Sequence, residues 1–468
     1  MQTPVIVILA AGLGTRMKSR KAKVLHEAGG LPLIEHVVRT ALRLAPPERV
    51  FVVVGCQAQA VEAAVRNHRV GFILQAEQKG TGHALMAGRE RLEPLEGPLV
   101  VLYGDCPLLS PETLRALIAR QQASGAAAAV LTTVLEDPTG YGRVLRDEQG
   151  LVRAIVEQKA AGPEQLAVRE INSGIYCFRS DLLWRHIGEI RPDNPAREYY
   201  LTDLVEIFRR AGYPVEPFLL PDPTEVLGVN TRADLAAVDV LCRRRKAREL
   251  MLEGVTIRLP ETVSIDAEVR IGPDTVIEPF AQILGRAVIG EDCRIGTGAI
   301  LRDVTLGDRV EVRPYSLLEQ ARLEDGARVG PFARLRPGSW LKAGAQVGNF
   351  VELKNARLGA GSKANHLAYL GDADIGDQVN IGAGTITCNY DGEHKHPTRI
   401  GNGVFVGSNA TLVAPVELAE GCYVGAGSVI TETVPAEALA LGRARQVVKE
   451  GWVRKRRAAK EPPSGDKG

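Results

Sequence analysis

Two hydrophobic rhythms divide this chain. Up to about residue 230, short β-branched or apolar runs alternate with stretches of helical spacing: Val5–Leu9, then 33–44, then Val50–Val54. That alternation predicts βαβ units around a mostly parallel sheet, in a Rossmann-like α/β domain. Leu99–Tyr103, Ala128–Val134 and residues 72–75 and 173–178 read as further strands, and 110–122 and 202–211 as helices. Residues 232–253 are charged, helix-favouring and free of Pro and Gly, which predicts a helix linking two domains. Its run Arg243-Arg244-Arg245-Lys246 reads as a solvated face.

Beyond residue 254 the period changes to six. Aliphatic residues recur at Ile271, Ile277, Ile283, Ile289, Ile295 and Leu301. A second run covers Leu323, Val329, Leu335, Leu341 and Val347, and a third Ile400, Val406, Leu412, Leu418, Val424 and Ile430. Neither a helix nor a simple strand repeats in this way. Hexads do, when they wind a triangular solenoid with three hexads to a coil and each aliphatic side chain pointing into the prism. A left-handed parallel β-helix over 254–450 is therefore expected, after an α/β domain over 1–231 and the helix at 232–253. The basic, then Pro/Ser/Gly-rich 451–468 reads as a largely disordered tail. Between Thr387 and Ile400 the rhythm breaks into Cys388-Asn389-Tyr390-Asp391-Gly392-Glu393-His394-Lys395-His396. A polar insertion in a regular solenoid is a candidate site.

Composition narrows the class. The 468 residues exceed one hydrophobic core, and 24% charged against 45% apolar residues is ordinary globular usage. A net charge of +2 does not point to nucleic acid, and no apolar run is long enough for membrane insertion. Val5 to Ala11 leads into a glycine loop and not into a signal-peptide cleavage site, so a cytoplasmic protein is expected. Its seven cysteines form no CxxC pair, which suggests neither a zinc site nor a disulfide framework.

The first chemical motif follows the first strand: Leu9-Ala10-Ala11-Gly12-Leu13-Gly14-Thr15-Arg16-Met17, with Lys23 downstream. Small residues let phosphates approach the backbone, and Arg16 and Lys23 supply cations to phosphate oxygens. The spacing is neither GxxxxGK[ST] nor GxGxxG, since position 17 is Met. Tyr103-Gly104-Asp105 ends an apolar strand and places a carboxylate at the carboxyl edge of the sheet, where ligands bind in such folds.

With Lys23-Val24-Leu25-His26 and the segment Gln75-Ala76-Glu77-Gln78-Lys79-Gly80-Thr81-Gly82, this N-terminal half resembles the sugar-phosphate nucleotidyltransferases, and Gln75 with Gln78 is similar to the uridylyl-transferring form. That resemblance implies Mg²⁺ held by Asp105 and Asn230. It also implies a sugar site formed by Gly142, Glu157, Asn172, Tyr200 and Thr202. The solenoid cluster Ser362-Lys363-Ala364-Asn365-His366-Leu367-Ala368-Tyr369 resembles the acetyltransferase half of a bifunctional family that joins both activities in one chain. His366 would be its general base, an imidazole titrating near neutral pH, with Glu352 orienting it. Arg336, Lys354, Tyr369, Asn380, Asn389, Tyr390 and Lys395 would hold the amino sugar and its phosphate. Ala383, Ser408, Ala426 and Arg443 align with acetyl-CoA contacts.

The resemblance runs from about Val5 to Trp452 and implies acetyl transfer to glucosamine 1-phosphate. UMP transfer from UTP to N-acetylglucosamine 1-phosphate would follow, giving UDP-N-acetylglucosamine, a precursor of bacterial cell-wall and envelope sugars. It further implies a homotrimer. Leu13 stands where many members have Lys, and Asn365 where some have Gly. One rival reading is a single-activity nucleotidyltransferase whose solenoid only oligomerises it, against which His366 with Asn389, Tyr390 and Lys395 argues; another takes the solenoid as a structural or interaction platform, and coenzyme A binding separates that from an acetyltransferase.

Overall fold

A computed structural model describes residues 2–460. The chain divides into two compact units: residues 1–249 with 265–268, and residues 250–264 with 269–468. The first is built on a nine-stranded sheet. Gly71–Leu74, Val50–Val54, Val5–Leu9 and Leu99–Tyr103 lie side by side in that order and run parallel. The next strand, Glu170–Phe178, is antiparallel to Leu99–Tyr103 and to Ala128–Val134, and it is the one reversed strand in the seven-strand path of an otherwise parallel sheet, as the expected mostly parallel architecture allows. The cause is local. Between Ala128–Val134 and Glu170–Phe178 the chain makes the hairpin Arg143–Arg146 with Val152–Val156 and the single helical turn Pro163–Leu166. No long crossover helix returns it to a parallel position.

The helices match the expected spans closely. Leu33–Leu42, Pro111–Ser124, Asp203–Arg210 and Arg232–Leu252 are all present, and the Ser110 hydroxyl caps the second by accepting from the Thr113 N–H at 3.1 Å. Apolar side chains pack on both faces of the sheet, as the unbroken burial of Val5–Leu9 and Val50–Val54 requires. The basic run of the long helix is not simply solvated: Arg243 is half-buried between Asp239 (2.9 Å) and Asp266 (2.6 Å).

The second unit is a left-handed β-helix with three faces of 11, 10 and 9 short strands, each strand pairing in parallel with the third one after it except at the end, where Tyr423–Val424 pairs with Leu439–Ala440, the second one after it. One inward column reads Ile271, Ile289, Leu306, Leu323, Leu341, Leu358, Ile375, Ile400 and Leu418. The hexad rhythm looked interrupted in sequence because one corner is repeatedly a residue short. Leu301 to Leu306, Leu318 to Leu323, Leu353 to Leu358 and Leu370 to Ile375 each skip a position, at Asp303, Gln320, Asn355 and Asp372, all with positive φ. The inward position 387 is Thr: its hydroxyl donates to the Gly371 carbonyl at 3.0 Å and accepts from the Gly371 N–H at 2.8 Å. After the solenoid, Trp452–Ala458 is helical where a largely disordered tail was expected, because Arg, Lys and Ala favour helix. The rest of that expectation, 461–468, lies outside the described residues.

All seven cysteines are free, and no described helix is long and apolar enough to cross a membrane.

Candidate functional site

In the first unit the parallel pairing sets Leu9 beside Tyr103, so both strands end together, and the Gly104 N–H donates to the Leu9 carbonyl at 3.0 Å. The loops leaving these strands border a cavity of about 420 Å³. Leu9, Ala10, Ala11, Gly12, Lys23, Gln75, Gln78, Gly80, Thr81, Tyr103 and Asp105 all line it. A Cβ at Gly12 would meet open space, so the backbone there is free to face a ligand. Gly14 has φ +60° and its missing Cβ would stand 2.6 Å from Cβ of Lys23, which lets the loop close onto that lysine. A larger surface cleft of about 820 Å³, along Arg89–Pro98 and Arg179–Arg185, holds none of the residues singled out in the sequence.

Lys23 forms an ion pair with the buried Asp105 carboxylate, and its Nζ also lies 3.4 Å from Asn230 Oδ1. Arg16 donates to the same Asn230 oxygen at 2.8 Å. Asn230 is held by its neighbours. The Val229 N–H donates to the Asp105 carbonyl at 3.0 Å, and Asp234 accepts from the N–H groups of Asn230 (3.0 Å) and Thr231 (2.8 Å) at the start of the long helix. One carboxylate and one amide oxygen thus converge on a single cationic nitrogen. Both are hard oxygen donors, which fits a Mg²⁺ ion that takes its other ligands from phosphates and water. No group of three or more His, Cys, Asp or Glu side chains forms a metal site among the described residues.

Gln75 is buried and donates to the Gly80 carbonyl at 3.0 Å, while Gln78 donates to the Gln75 carbonyl at 3.2 Å. Of the five residues expected at the sugar, three lie together. Asn172 donates its N–H to the Gly142 carbonyl at 2.9 Å and accepts the Tyr176 hydroxyl at 3.0 Å, and Glu157 Oε1 is within 3.4 Å of where a Gly142 Cβ would stand. Burial pushes the Glu157 carboxyl up from its ordinary value. Asp203, just after Tyr200 and Thr202, is pushed up to about 6 by burial and by Glu206 and Glu157. None of Gly142, Glu157, Asn172, Tyr200 and Thr202 borders the cavity itself, although the Leu201 N–H donates to the Thr81 hydroxyl on its lining at 3.0 Å.

In the second unit His366 is exposed at the end of the strand Lys363–His366. Its Nδ1 is paired with Asn349 Oδ1 at 2.8 Å. Glu352, expected to orient it, instead forms an ion pair with Arg336 at 3.1 Å, because its strand lies on the next face of the prism. Glu352 stacks directly over Tyr369, and Asn380 over Lys363. Lys354 and Lys395 approach each other closely enough that the Lys354 ammonium lowers the pKa of Lys395. Asp372 lies between them electrostatically: burial pushes its carboxyl up, but hydrogen bonds from Asn355 and Asn389 and the Lys354 charge outweigh this and hold it below the ordinary value.

The inserted loop is a tight hairpin. Asp391 accepts the N–H groups of Glu393 (2.8 Å) and His394 (2.7 Å), and Tyr390 bridges to Lys395 across the turn. These N–H donors, with His396, hold the Asp391 carboxyl far below its ordinary value. Ala383, Ser408 and Ala426 mark successive coils at one corner. Asn409 donates to the Ala383 carbonyl (2.7 Å), Gly427 to that of Ser408 (2.8 Å), and Arg443 Nη1 to that of Ala426 (3.0 Å).

Sequence reasoning missed Asn349 and gave Asp372 no role. The signal for Asn349 was present: it stands 17 residues before His366, one coil of the solenoid.

Residues 6–175 match the model of the MobA-like NTP transferase domain, and residues 268–303 and 397–432 that of the bacterial transferase hexapeptide, six repeats. The chain is 59% identical over 452 residues to the Bifunctional protein GlmU of Solibacter usitatus (strain Ellin6076), covering 97% of each chain. It is 50% identical over 456 residues to that of Koribacter versatilis (strain Ellin345), again with 97% of each covered. The chain belongs to the GlmU family. Relatives also include the Bifunctional protein GlmU of Trichlorobacter lovleyi (strain ATCC BAA-1151 / DSM 17278 / SZ), 47% identical over 96% of this chain and 98% of that one. The NTP-transferase match falls within the first unit and the hexapeptide matches fall almost wholly within the second.

Proposed function

We propose that this chain makes UDP-N-acetylglucosamine in two steps, at the two clusters described. The solenoid transfers acetyl from acetyl-CoA to the amine of glucosamine 1-phosphate. The α/β unit then joins N-acetylglucosamine 1-phosphate to UMP from UTP and releases pyrophosphate. The observation that carries the reading is the exposed imidazole of His366: its Nδ1 is engaged by Asn349, and among the described residues no hydrogen bond occupies Nε2. A solenoid that only oligomerised the protein would have no use for it.

At the first site His366 Nε2 takes the proton from the sugar amine as the amine nitrogen attacks the thioester carbonyl. Arg336, Lys354 and Lys395 supply positive charge for the sugar phosphate, and the lowered Lys395 pKa is what two cations waiting for an anion produce. Tyr369, Asn380, Asn389 and Tyr390 complete the sugar pocket. The corner row Ala383, Ser408 and Ala426 leaves room for the acetyl-CoA arm, with Arg443 available to its phosphates.

At the second site the nucleophile is a phosphate oxygen, already an anion, so no protein base is needed. Arg16 and Lys23 neutralise the triphosphate as charge shifts toward pyrophosphate. Gln75 and Gln78 read the uracil edge, and Gly142, Glu157, Asn172, Tyr200 and Thr202 hold the sugar. Asp105 and Asn230 would hold Mg²⁺, which when bound adds charge neutralisation on the phosphates.

We read the protein as a cytoplasmic homotrimer. Its seven free thiols and its substrates suit the reducing compartment. A corner of the solenoid carries Tyr315, Phe332 and Phe350, stacked at 5.5 and 5.6 Å and each about half exposed. All three adopt positive φ. An exposed apolar ladder built at a conformational cost of ~1 kcal/mol per residue supports burial against copies of the same chain.

The test is His366→Ala. The variant is expected to lose free-thiol release from acetyl-CoA with glucosamine 1-phosphate, yet still to release pyrophosphate from UTP and N-acetylglucosamine 1-phosphate. Native protein that never releases the thiol would sink the acetyltransferase reading.

A further inference from the structure

We infer that Asn349 is the positioning residue of the acetyltransferase centre: it holds His366 in the tautomer with the proton on Nδ1 and so leaves the Nε2 lone pair for the substrate amine. The inference rests on His366 being the general base. An amide oxygen accepts and cannot donate, so the 2.8 Å contact between His366 Nδ1 and Asn349 Oδ1 places the hydrogen on Nδ1.

The contact is built into the backbone. Asn349 and His366 are partners in the parallel ladder between Gln346–Asn349 and Lys363–His366, and the Leu367 N–H donates to the Asn349 carbonyl at 3.0 Å. Gly348 makes the approach possible, since a Cβ there would stand 1.9 Å from the Asn365 carbonyl oxygen. No carboxylate competes for the ring. Glu352 is engaged by Arg336, the strands on either side, Gln346–Asn349 and Asn380–Ile381, carry no titratable side chain, and Lys363 is the one charged group on the strand of His366 itself.

In the reaction the amine nitrogen forms the C–N bond to the thioester carbon and gives its proton to Nε2. The C–S bond breaks with its electron pair going to sulfur, which takes the proton from Nε2 and leaves as free thiol. A ring that is turned over, or carries its proton on Nε2, can do neither transfer.

The experiment compares N349A, N349D and H366A by thiol release from acetyl-CoA with glucosamine 1-phosphate across pH, with melting temperatures to check folding. N349A is expected to lose about tenfold or more in kcat with KM for both substrates within about twofold. In N349D the carboxylate keeps the acceptor but favours the imidazolium, so the acidic limb of kcat/KM moves up by about one pH unit. N349D preserves size and geometry, so it decides the question even where N349A is unstable. A native kcat in N349A, an unmoved limb in N349D, or a rise in KM alone would overturn the inference. Thiol release surviving in H366A would instead overturn the reading of His366 as base.

Discussion

Gly14→Ala is a selective probe of the nucleotide loop. Gly14 sits at φ +60°, and an alanine Cβ would stand 2.6 Å from Cβ of Lys23, the stem of the lysine that pairs with Asp105. The left-handed backbone costs an alanine ~1–2 kcal/mol. Relieving the clash requires the loop and the start of the turn Lys23–Leu25 to separate by about 1 Å, a displacement that at a catalytic site costs roughly 100-fold. The expected outcome is a loss of that order in kcat/KM for pyrophosphate release from UTP and N-acetylglucosamine 1-phosphate. Thiol release from acetyl-CoA at the other site of the same chain stays native and serves as the internal control. Native uridylyl transfer in this variant would refute the argument that the loop's closure onto Lys23 matters. Equal loss of both activities would show that the substitution unfolds the protein and leaves the site untested, so Gly14→Asn, which tolerates positive φ better, should then recover expression while keeping the Cβ contact.

Two further outcomes follow from the structure. Asp203, pushed up to about 6 from 3.8, holds its proton in the folded chain at pH values where the unfolded chain has lost it. Its contribution to stability is therefore greatest below about pH 4 and falls as pH rises through about 6. Asp203→Asn should raise the unfolding free energy read from urea titrations at pH 7 and above, by about 1 kcal/mol once partial exposure is allowed for, with the gain shrinking toward pH 4; a gain that is the same at every pH would contradict this. On the proposed homotrimer, replacing Phe332 and Phe350 together by Asp should shift the sizing profile toward monomer, and a profile unchanged from that of the native protein would show that this ladder is not the interface.

Much of the molecule was legible because its patterns are local. The six-residue period needed nothing beyond the spacing of Ile and Leu, since each hexad is one side of a triangle and its inward residue has no other place to go. The glycine loop ending at Arg16, Lys23, and the carboxylate after Leu99–Tyr103 were readable because a strand end in a parallel sheet is a known place for ligands. The antiparallel direction of Glu170–Phe178 was not, because strand direction depends on the connection and leaves no trace in the strand's own composition.

The sequence by itself determined the two architectures, the inward columns of the solenoid and which chemical groups each candidate site has to offer. Only the tertiary structure decided which groups meet. Asn349 and not Glu352 reaches His366, because the ladder stacks residues one coil apart on the same face while Glu352 points from the next face toward Arg336. Arg16, Lys23, Asp105 and Asn230 are scattered over more than two hundred residues, yet share one oxygen-lined point. Periodicity is a property of neighbours along the chain. A catalytic contact is a property of distance in space, and the pairing of strands and coils sets that distance.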